Sequence, residues 1–107
     1  MNIFDIFIAY VSWGNSGKHR PVLIIEQQVK TMSVFNITTQ YENKNKTIRN
    51  KYFKIIDWQQ AGLNQQSYVD TNTLRDLPKI AWKDKIVIGR LTESDIRRLF
   101  EFLQRNS

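Results

Sequence analysis

An arginine and a threonine on two consecutive predicted strands could together hold a phosphate group. Arg20 precedes an apolar run at residues 22–25, and Thr38 ends a segment in which apolar and polar residues alternate. Both segments predict strands, and the short connection around Lys30 and Thr31 makes them antiparallel neighbours. The start of the first strand and the end of the second then share a sheet edge, which places Arg20 beside Thr38. A planar, permanently charged guanidinium suits bidentate contact with phosphate.

Each of these residues also has a purely structural explanation. Arg20 is either a surface charge or a cation that faces a cleft. His19, the only histidine, could be solvated, act as a core donor or belong to a site. Polar residues at the end of a strand, as at residues 36–40, often satisfy local backbone groups. The convergence of Arg20 and Thr38, rather than either residue alone, therefore carries the prediction of a site.

The loop before Arg20 gathers several polar side chains. Residues 14–18 (GNSGK) do not form a phosphate-binding P-loop, because only two residues separate the glycines, His19 follows the lysine and a strand comes next. An ordinary tight turn explains the glycines. Loops on rigid sheets often contact ligands. The candidate contacts on this loop are Trp13, Asn15, Ser16, Lys18 and His19.

The charge balance of the chain points to a polyanionic partner. Sixteen Lys and Arg residues against ten Asp and Glu residues give a net charge of +6. Nucleic acid is the first candidate, although many small basic proteins bind none. One basic cluster is either a solvated connection or a surface that attracts phosphates. Tyr41, Tyr52 and Trp58 near it either offer ring faces for stacking of bases or are buried side chains. The cluster comprises Lys44, Lys46, Arg49, Lys51 and Lys54.

The composition excludes several classes of site. The chain has no cysteine, so it forms no disulfide, thiol nucleophile, cysteine-ligated zinc site or iron–sulfur cluster. Its single histidine excludes zinc sites with two or three imidazoles and nucleases built on a histidine pair. No apolar run approaches the roughly 18 residues of a transmembrane helix, and the first residues do not form a convincing signal peptide. We expect a cytoplasmic protein with no metal, no cofactor and no membrane contact.

The chain as a whole predicts one mainly β domain, residues 1–107, with a C-terminal helix. Roughly five to seven short strands are expected, an estimate limited by what patterns can resolve. Residues 41–51 predict an exposed hairpin connection, and Pro78 predicts an edge or irregular segment. The predicted strands are residues 6–13, 21–29, 32–39, 52–56, 67–70 and 86–88.

Two helical features are predicted in the second half. Residues 57–62 (DWQQAG) indicate one helical turn, with Asp57 as N-cap and Gly62 closing it. Residues 92–95 (TESD) resemble a capping box that opens the last helix. The apolar face of that helix is predicted to comprise Ile96, Leu99, Phe100 and Leu103.

The ordered set of segments resembles MazF/PemK toxins, the ribonuclease toxins of bacterial toxin–antitoxin pairs. The resemblance spans nearly the whole chain. It implies a small SH3-like barrel of the CcdB/PemK-like toxin fold, mainly β with a C-terminal helix, which forms a homodimer. The segments that carry the resemblance are residues 5–11 (DIFIAYV), 18–25 (KHRPVLII), 34–40 (VFNITTQ), 67–70 (SYVD), 77–79 (LPK) and 88–96 (IGRLTESDI).

The resemblance also implies an activity. Such an mRNA interferase is an endoribonuclease that cuts single-stranded RNA without a metal, as the 2′-hydroxyl attacks the neighbouring phosphate and leaves a 2′,3′-cyclic phosphate and a 5′-hydroxyl. Arg20 occupies the catalytic arginine position and Thr38 the catalytic hydroxyl position. A separately encoded antitoxin neutralises the enzyme, and DNA is contacted only through an antitoxin complex. The expected RNA contacts are Trp13, Asn15, Ser16, Lys18, His19, Thr39, Gln40, Lys44 and Lys46.

Two departures and one alternative remain. The loop before Arg20 lacks the acidic residue that some relatives carry. Thr73 falls near the place where some relatives have a basic residue, so the sequence leaves open whether Arg75 or Asp76 joins the site. The alternative is a non-catalytic SH3-like binding module, either like the gyrase poison CcdB or an inactivated toxin that only binds its antitoxin.

Overall fold

A six-stranded antiparallel sheet forms most of the fold in a computed structural model, which describes residues 2–13, 15–79 and 86–106 and only the backbone of residues 10–13. The strand order is β4-β5-β3-β2-β1-β6, and within the described residues the two edge strands do not pair with each other, so the sheet is not closed. The elements are β1 (Asp5–Trp13), β2 (Ser16–Gln27), β3 (Thr31–Thr38), α1 (Lys46–Arg49), β4 (Tyr52–Lys54), β5 (Tyr68–Pro78), β6 (Val87–Arg90) and α2 (Glu93–Arg105).

The predicted mainly β fold with a C-terminal helix is confirmed, and so is the pairing of the two strands that carry Arg20 and Thr38. Strands β2 and β3 are antiparallel, with Val22 opposite Asn36. Their connection is tight, because the backbone N–H of Gln28 donates to the carbonyl oxygen of Thr31 over 2.9 Å. None of the described helices is long and apolar enough to cross a membrane.

Two apolar clusters cover the two faces of the sheet. The first includes Ile6, Leu23, Phe35 and Leu99. The second comprises Phe7, Ala9, Val22, Ile24, Met32 and Val34. Successive residues of a strand point to opposite faces. Strand β2 is therefore apolar at three positions in a row because both of its faces are buried in the middle.

Helix α2 covers the first cluster, with a face that differs from the predicted one only at Phe100 and Phe102. Ile96, Leu99 and Leu103 pack on the cluster as expected. Phe100 is 54% exposed, and its ring lies 5.7 Å from that of Phe4, just before β1. Phe102 packs inward instead, with its ring 5.6 Å from that of Phe53. The buried stripe therefore includes Phe102, which packs against Phe53 of β4.

The connection at residues 41–51 was predicted as an exposed hairpin, and this prediction is wrong. It contains the short helix α1, whose N-cap Asn45 accepts the backbone N–H of Ile48 over 2.9 Å. It also joins strands that are not neighbours, because β5 lies between β3 and β4. The strand expected at residues 67–70 is the first part of the 11-residue β5, and Pro78 ends that strand.

The segment at residues 57–62 contains the predicted single helical turn, in which the backbone N–H of Ala61 donates to the carbonyl oxygen of Asp57 over 3.1 Å, and it does not extend into a helix. The Asp57 carboxylate does not act as the predicted N-cap; it accepts the Thr92 hydroxyl over 2.8 Å and pairs with Arg98. Gly62 closes the segment, with φ at +91°, a conformation that glycine adopts without steric cost. A Cβ on Gly62 would also collide with the carbonyl oxygen of Ile88, and one on Gly89 with that of Ala61. Two glycines therefore let this segment pack directly on β6.

A buried carboxylate joins helix α2 to the same segment. Thr92 caps the helix by accepting the backbone N–H of Asp95 over 3.2 Å, which confirms half of the predicted capping box. The Asp95 carboxylate does not turn back to the cap. It is fully buried, and it accepts the backbone N–H of Ile56 over 3.2 Å and that of Asp57 over 2.8 Å. Arg98 donates to it over 2.7 Å, and this hydrogen bond raises the pKa of Arg98.

We predict that Asp95→Asn destabilises the fold strongly. The amide replaces one acceptor oxygen by a donor and leaves a backbone N–H and the Arg98 guanidinium without their charged partner. The free energy of unfolding should fall by about 2–4 kcal/mol, measured by urea denaturation. Glu101→Gln, on the exposed side of the same helix, should change it by less than about 0.5 kcal/mol. Equal stability of the two variants would contradict this account of Asp95.

Candidate functional site

A surface pocket lies where β2 begins and β3 ends. Its volume is about 210 Å³. Six of the residues predicted for the site line it together, including Arg20 and Thr38, and the predicted convergence of these two residues at one sheet edge agrees with the structure. The lining residues are Lys18, His19, Arg20, Pro21, Ile37, Thr38, Thr39, Gln40 and Ser67.

The sheet register explains why Arg20 and Thr38 meet. Val22 lies opposite Asn36, and extending this antiparallel register by two residues sets Arg20 opposite Thr38. Residues two apart on a strand share a face, so both side chains lie on the face of the second apolar cluster. Arg20 is also paired with Ala9 of β1, and Thr38 with Tyr68 of β5. Each of the two residues is thus held by a strand on its far side.

The Thr38 hydroxyl has a defined orientation. Its oxygen accepts the backbone N–H of Gln40 over 3.0 Å, a local turn that serine and threonine often make. Because a hydroxyl has one donor proton besides its acceptor lone pairs, this bond leaves the proton of Thr38 for another acceptor. The Gln40 side chain is itself held, since its Oε1 accepts Nδ2 of Asn43 over 3.1 Å. The end of β3 therefore offers a hydroxyl donor beside a guanidinium.

The pocket is basic. Lys18 and His19 are exposed at its rim, and Arg20 is half-buried. Among the residues that line it there is no aspartate or glutamate. A small basic pocket with a hydroxyl donor suits an anion, and a phosphodiester fits that description.

Several predicted contacts lie elsewhere. Asn15 and Ser16 are exposed at the tip of the β1–β2 hairpin, and Lys44 and Lys46 lie on the 41–51 connection; none of the four lines the pocket. The Trp13 side chain and Gly14 lie outside the described residues. Asn15, Ser16, Lys44 and Lys46 therefore lie where only a ligand longer than the pocket would reach them.

Arg75 and Asp76, which the sequence left open as site residues, lie away from the pocket. Both lie in the second half of β5, opposite Val34 and Ser33 of β3. The Asp76 carboxylate accepts the Ser33 hydroxyl over 2.6 Å, and neither residue lines the pocket. Asp76 therefore stabilises the pairing of β3 with β5, because its partner Ser33 lies five residues from Thr38 at the pocket end of β3.

A group of tyrosines beside the pocket was only partly anticipated. The rings of Tyr41 and Tyr68 are stacked, 4.3 Å apart and 7° from parallel, and that of Tyr52 lies 6.4 Å from Tyr41. Trp58, the third predicted stacking face, packs instead against the first apolar cluster. Tyr68 was missed because no local pattern reveals that it lies opposite Thr38.

The charge of Arg20 affects the pKa of one of these tyrosines, Tyr52. Burial and the nearby Asp70 carboxylate raise the pKa of Tyr52, while Arg20 acts in the opposite direction. Burial likewise raises the pKa of Tyr68, with smaller contributions from Glu42 and Tyr41. Both phenols are therefore neutral at physiological pH. Within the part of the chain that the structure describes, no group of three or more His, Asp or Glu side chains could hold a metal ion.

Comparison with known proteins places this arrangement in context. The sequence matches no family model and no curated protein. The fold, however, is similar to the Mycobacterium tuberculosis toxin MazF-mt6, with a TM-score of 0.69 and 25% identity over 94% of this chain and 93% of that one. It is also similar to a solved structure described as an Mtb toxin, with a TM-score of 0.60 and 26% identity over 80% of this chain and 90% of that one. The resemblance seen in the sequence is thus confirmed, and the chain has the fold of MazF-type toxins over nearly its whole length.

Proposed function

We propose that this protein is a MazF-type endoribonuclease toxin that cuts single-stranded RNA at the Arg20–Thr38 pocket. The observation that carries the proposal is the meeting of Arg20 and Thr38, 18 residues apart in sequence, in one basic pocket. Two further observations support it: the net charge of +6 and the structural similarity to MazF toxins.

The proposed reaction uses the substrate's own nucleophile. The ribose 2′-oxygen attacks the adjacent phosphorus, and the bond from phosphorus to the 5′-oxygen breaks. The 2′-hydroxyl loses its proton and the departing 5′-oxygen gains one, which leaves a 2′,3′-cyclic phosphate and a free 5′-hydroxyl. No covalent enzyme intermediate is formed, and no metal ion or cofactor is invoked.

The pocket residues have distinct proposed roles. Arg20 stabilises the extra negative charge on the pentacovalent phosphorus, where preorganised donors have their largest effect. Thr38 donates its hydroxyl proton to a non-bridging phosphate oxygen. His19 at the rim is the candidate for proton transfer. Arg20 cannot act as a general base, because a guanidinium stays protonated and has no lone pair to accept a proton. Lys18, Thr39 and Gln40 hold the RNA backbone, and Lys44 and Lys46 contact it farther along the strand.

The proposed partners follow from the same family. A cognate antitoxin neutralises the enzyme in the cytoplasm, and DNA is contacted only through that complex. A homodimer is proposed because exposed apolar residues cluster at an edge of the sheet. Ile86 is 78% exposed, and Val87 and Ile88 on β6 follow it. Natural sheets seldom leave such an edge uncovered.

We predict that Arg20→Lys and Thr38→Val slow the chemical step. Lysine keeps the charge but loses the planar fork that spans two phosphate oxygens, so the single-turnover rate should fall by roughly a hundredfold or more. Thr38→Val removes one donor and no charge, so it should slow cleavage and leave affinity nearly unchanged. The measurement is single-turnover cleavage of a defined RNA, paired with binding at two salt concentrations.

The matched control for this experiment is the double variant Lys44→Ala and Lys46→Ala. It should weaken RNA binding and flatten its salt dependence, with little effect on the rate at saturation. Unchanged single-turnover rates in both Arg20→Lys and Thr38→Val would remove these residues from the active site. If the wild type cleaves no RNA but binds a protein partner tightly, the chain is a binding module instead.

We also predict that cleavage is independent of divalent metal. The proposed residues supply the charge stabilisation themselves, so the rate should be unchanged in excess EDTA. The assay is cleavage of the same RNA with and without the chelator. Complete loss of activity, restored by magnesium or manganese, would reject the proposed mechanism.

The proposed dimer gives a further prediction. Light scattering at micromolar concentration should report twice the chain mass of 12.7 kDa. Val87→Lys, which places a charge on the exposed edge strand, should shift the protein toward monomer. Val29→Lys is the control, because Val29 is 90% exposed at the β2–β3 turn, away from that edge. A wild type that is monomeric and fully active would contradict the dimer.

A further inference from the structure

Three tyrosines form an aromatic surface next to the pocket, here called the tyrosine shelf and defined as Tyr41, Tyr52 and Tyr68. Tyr41 and Tyr68 are stacked at 4.3 Å and 7°, with Tyr52 tilted against Tyr41 by 43°. The Arg49 guanidinium lies 5.7 Å from the centre of the Tyr41 ring, within the range of a cation–π contact. The shelf therefore combines aromatic faces with a positive charge.

The shelf differs from the two phenylalanine pairs that lie between helix α2 and the rest of the fold. The ring pairs Phe4–Phe100 and Phe53–Phe102 meet nearly edge to face, at 84° and 65°. Members of the shelf belong to neither apolar cluster and are each half-buried. Packing of the core thus does not account for the parallel stacking of Tyr41 on Tyr68 at the surface.

The shelf adjoins the phosphate pocket on the same face of the sheet. Tyr68 lies directly opposite Thr38, and Tyr41 follows Gln40 in the chain. Tyr52 lies within reach of the Arg20 charge. Because β2 and β5 flank β3, Arg20 and Tyr68 are two interstrand spacings apart, roughly 10 Å. A short single-stranded segment spans that distance.

We propose that the tyrosine shelf is a base-binding subsite, on which an unpaired base next to the phosphate held by Arg20 stacks. The inference rests on the proposed function, since it takes the pocket to hold an RNA phosphate. Stacking on tyrosine accepts any base, because every base has an aromatic face. The neutral ring hydroxyls add hydrogen-bond donors and acceptors at the rim of the shelf, where they can discriminate between base edges.

The charges around the shelf are compatible with this role. Arg49, Lys51 and Lys54 lie on the connection and strand that carry Tyr41 and Tyr52. The Glu42 carboxylate raises the pKa of Tyr68, and the Asp70 carboxylate raises that of Tyr52, so both lie near the shelf. Cations therefore outnumber carboxylates around it, so that the backbone of the bound nucleotide is attracted rather than repelled.

Binding of two related oligonucleotides tests the subsite. One is a mixed-sequence strand of about 12 nucleotides, within the usual range of single-strand sites, with every ribose 2′-O-methylated to block cleavage. The other has the same backbone and no bases. Tyr68→Leu should raise the Kd for the first strand roughly 5- to 150-fold, the equivalent of about 1–3 kcal/mol of stacking, and leave that for the second within about twofold. Tyr68→Phe should bind both nearly as the wild type does.

Phe100→Leu is the matched control, because it removes an exposed aromatic ring on α2, away from the pocket. It should change neither Kd. In the wild type, the ring resonances of Tyr41 and Tyr68 in protein with ¹³C-labelled tyrosine should shift with the first strand and not with the second. This measurement needs no variant and decides the matter if Tyr68→Leu does not fold.

The outcomes separate the subsite from the activity. If the wild type cleaves unmodified RNA but Tyr68→Leu binds both strands normally, or unshifted ring resonances are seen at saturation, the subsite is overturned and the proposed function stands. If Tyr68→Leu raises the Kd for both oligonucleotides equally, the subsite is also overturned, because the lost affinity then does not come from base stacking. A wild type that neither binds nor cleaves RNA overturns the proposed function and the subsite together.

Discussion

The buried Asp95 carboxylate is the interaction on which the arrangement of helix and sheet depends. A fully buried carboxylate is costly unless its lone pairs are used, and here two backbone N–H groups and Arg98 use them. Those contacts fix the segment at residues 56–57 to the first turn of α2. The helix then lies over the first apolar cluster, where Leu99 is buried. The Asp95 carboxylate thus sets the position of helix α2, which covers the first apolar cluster.

The proposed site lies where this core ends. Both faces of β2 are buried in the middle of the strand, which holds the backbone rigid, whereas Lys18 and His19 at its start are exposed. A rigid strand that runs out into solvent presents charged side chains on a fixed backbone. Arg20 and Thr38 are thus held on backbone with no positive φ angle. Tyr68 of the tyrosine shelf lies on β5, the strand next to β3.

The sequence predicted the parts of the fold that depend on local pattern. The β2–β3 hairpin was predictable because its strands are adjacent and its turn is short, and the meeting of Arg20 with Thr38 followed from it. The insertion of β5 between β3 and β4 was not predictable, because periodicity identifies a strand and not its partner. Tyr68 was missed for that reason. The role of Asp95 was also missed, because a capping pattern near Thr92 offered a local explanation for a residue whose two backbone partners are 38 and 39 residues away.

The pairing of β1 with β6 has a consequence for the order in which the chain folds. It joins Asp5 to Arg90, 85 residues apart, whereas the β2–β3 hairpin joins Gln27 to Met32. Closing the longer loop costs roughly 2–3 kcal/mol more in chain entropy, so the hairpin is expected to form early and the β6 edge late. Local opening at the β6 edge would leave the arginine and the threonine together on their hairpin, because the pairing of β2 with β3 does not involve β6.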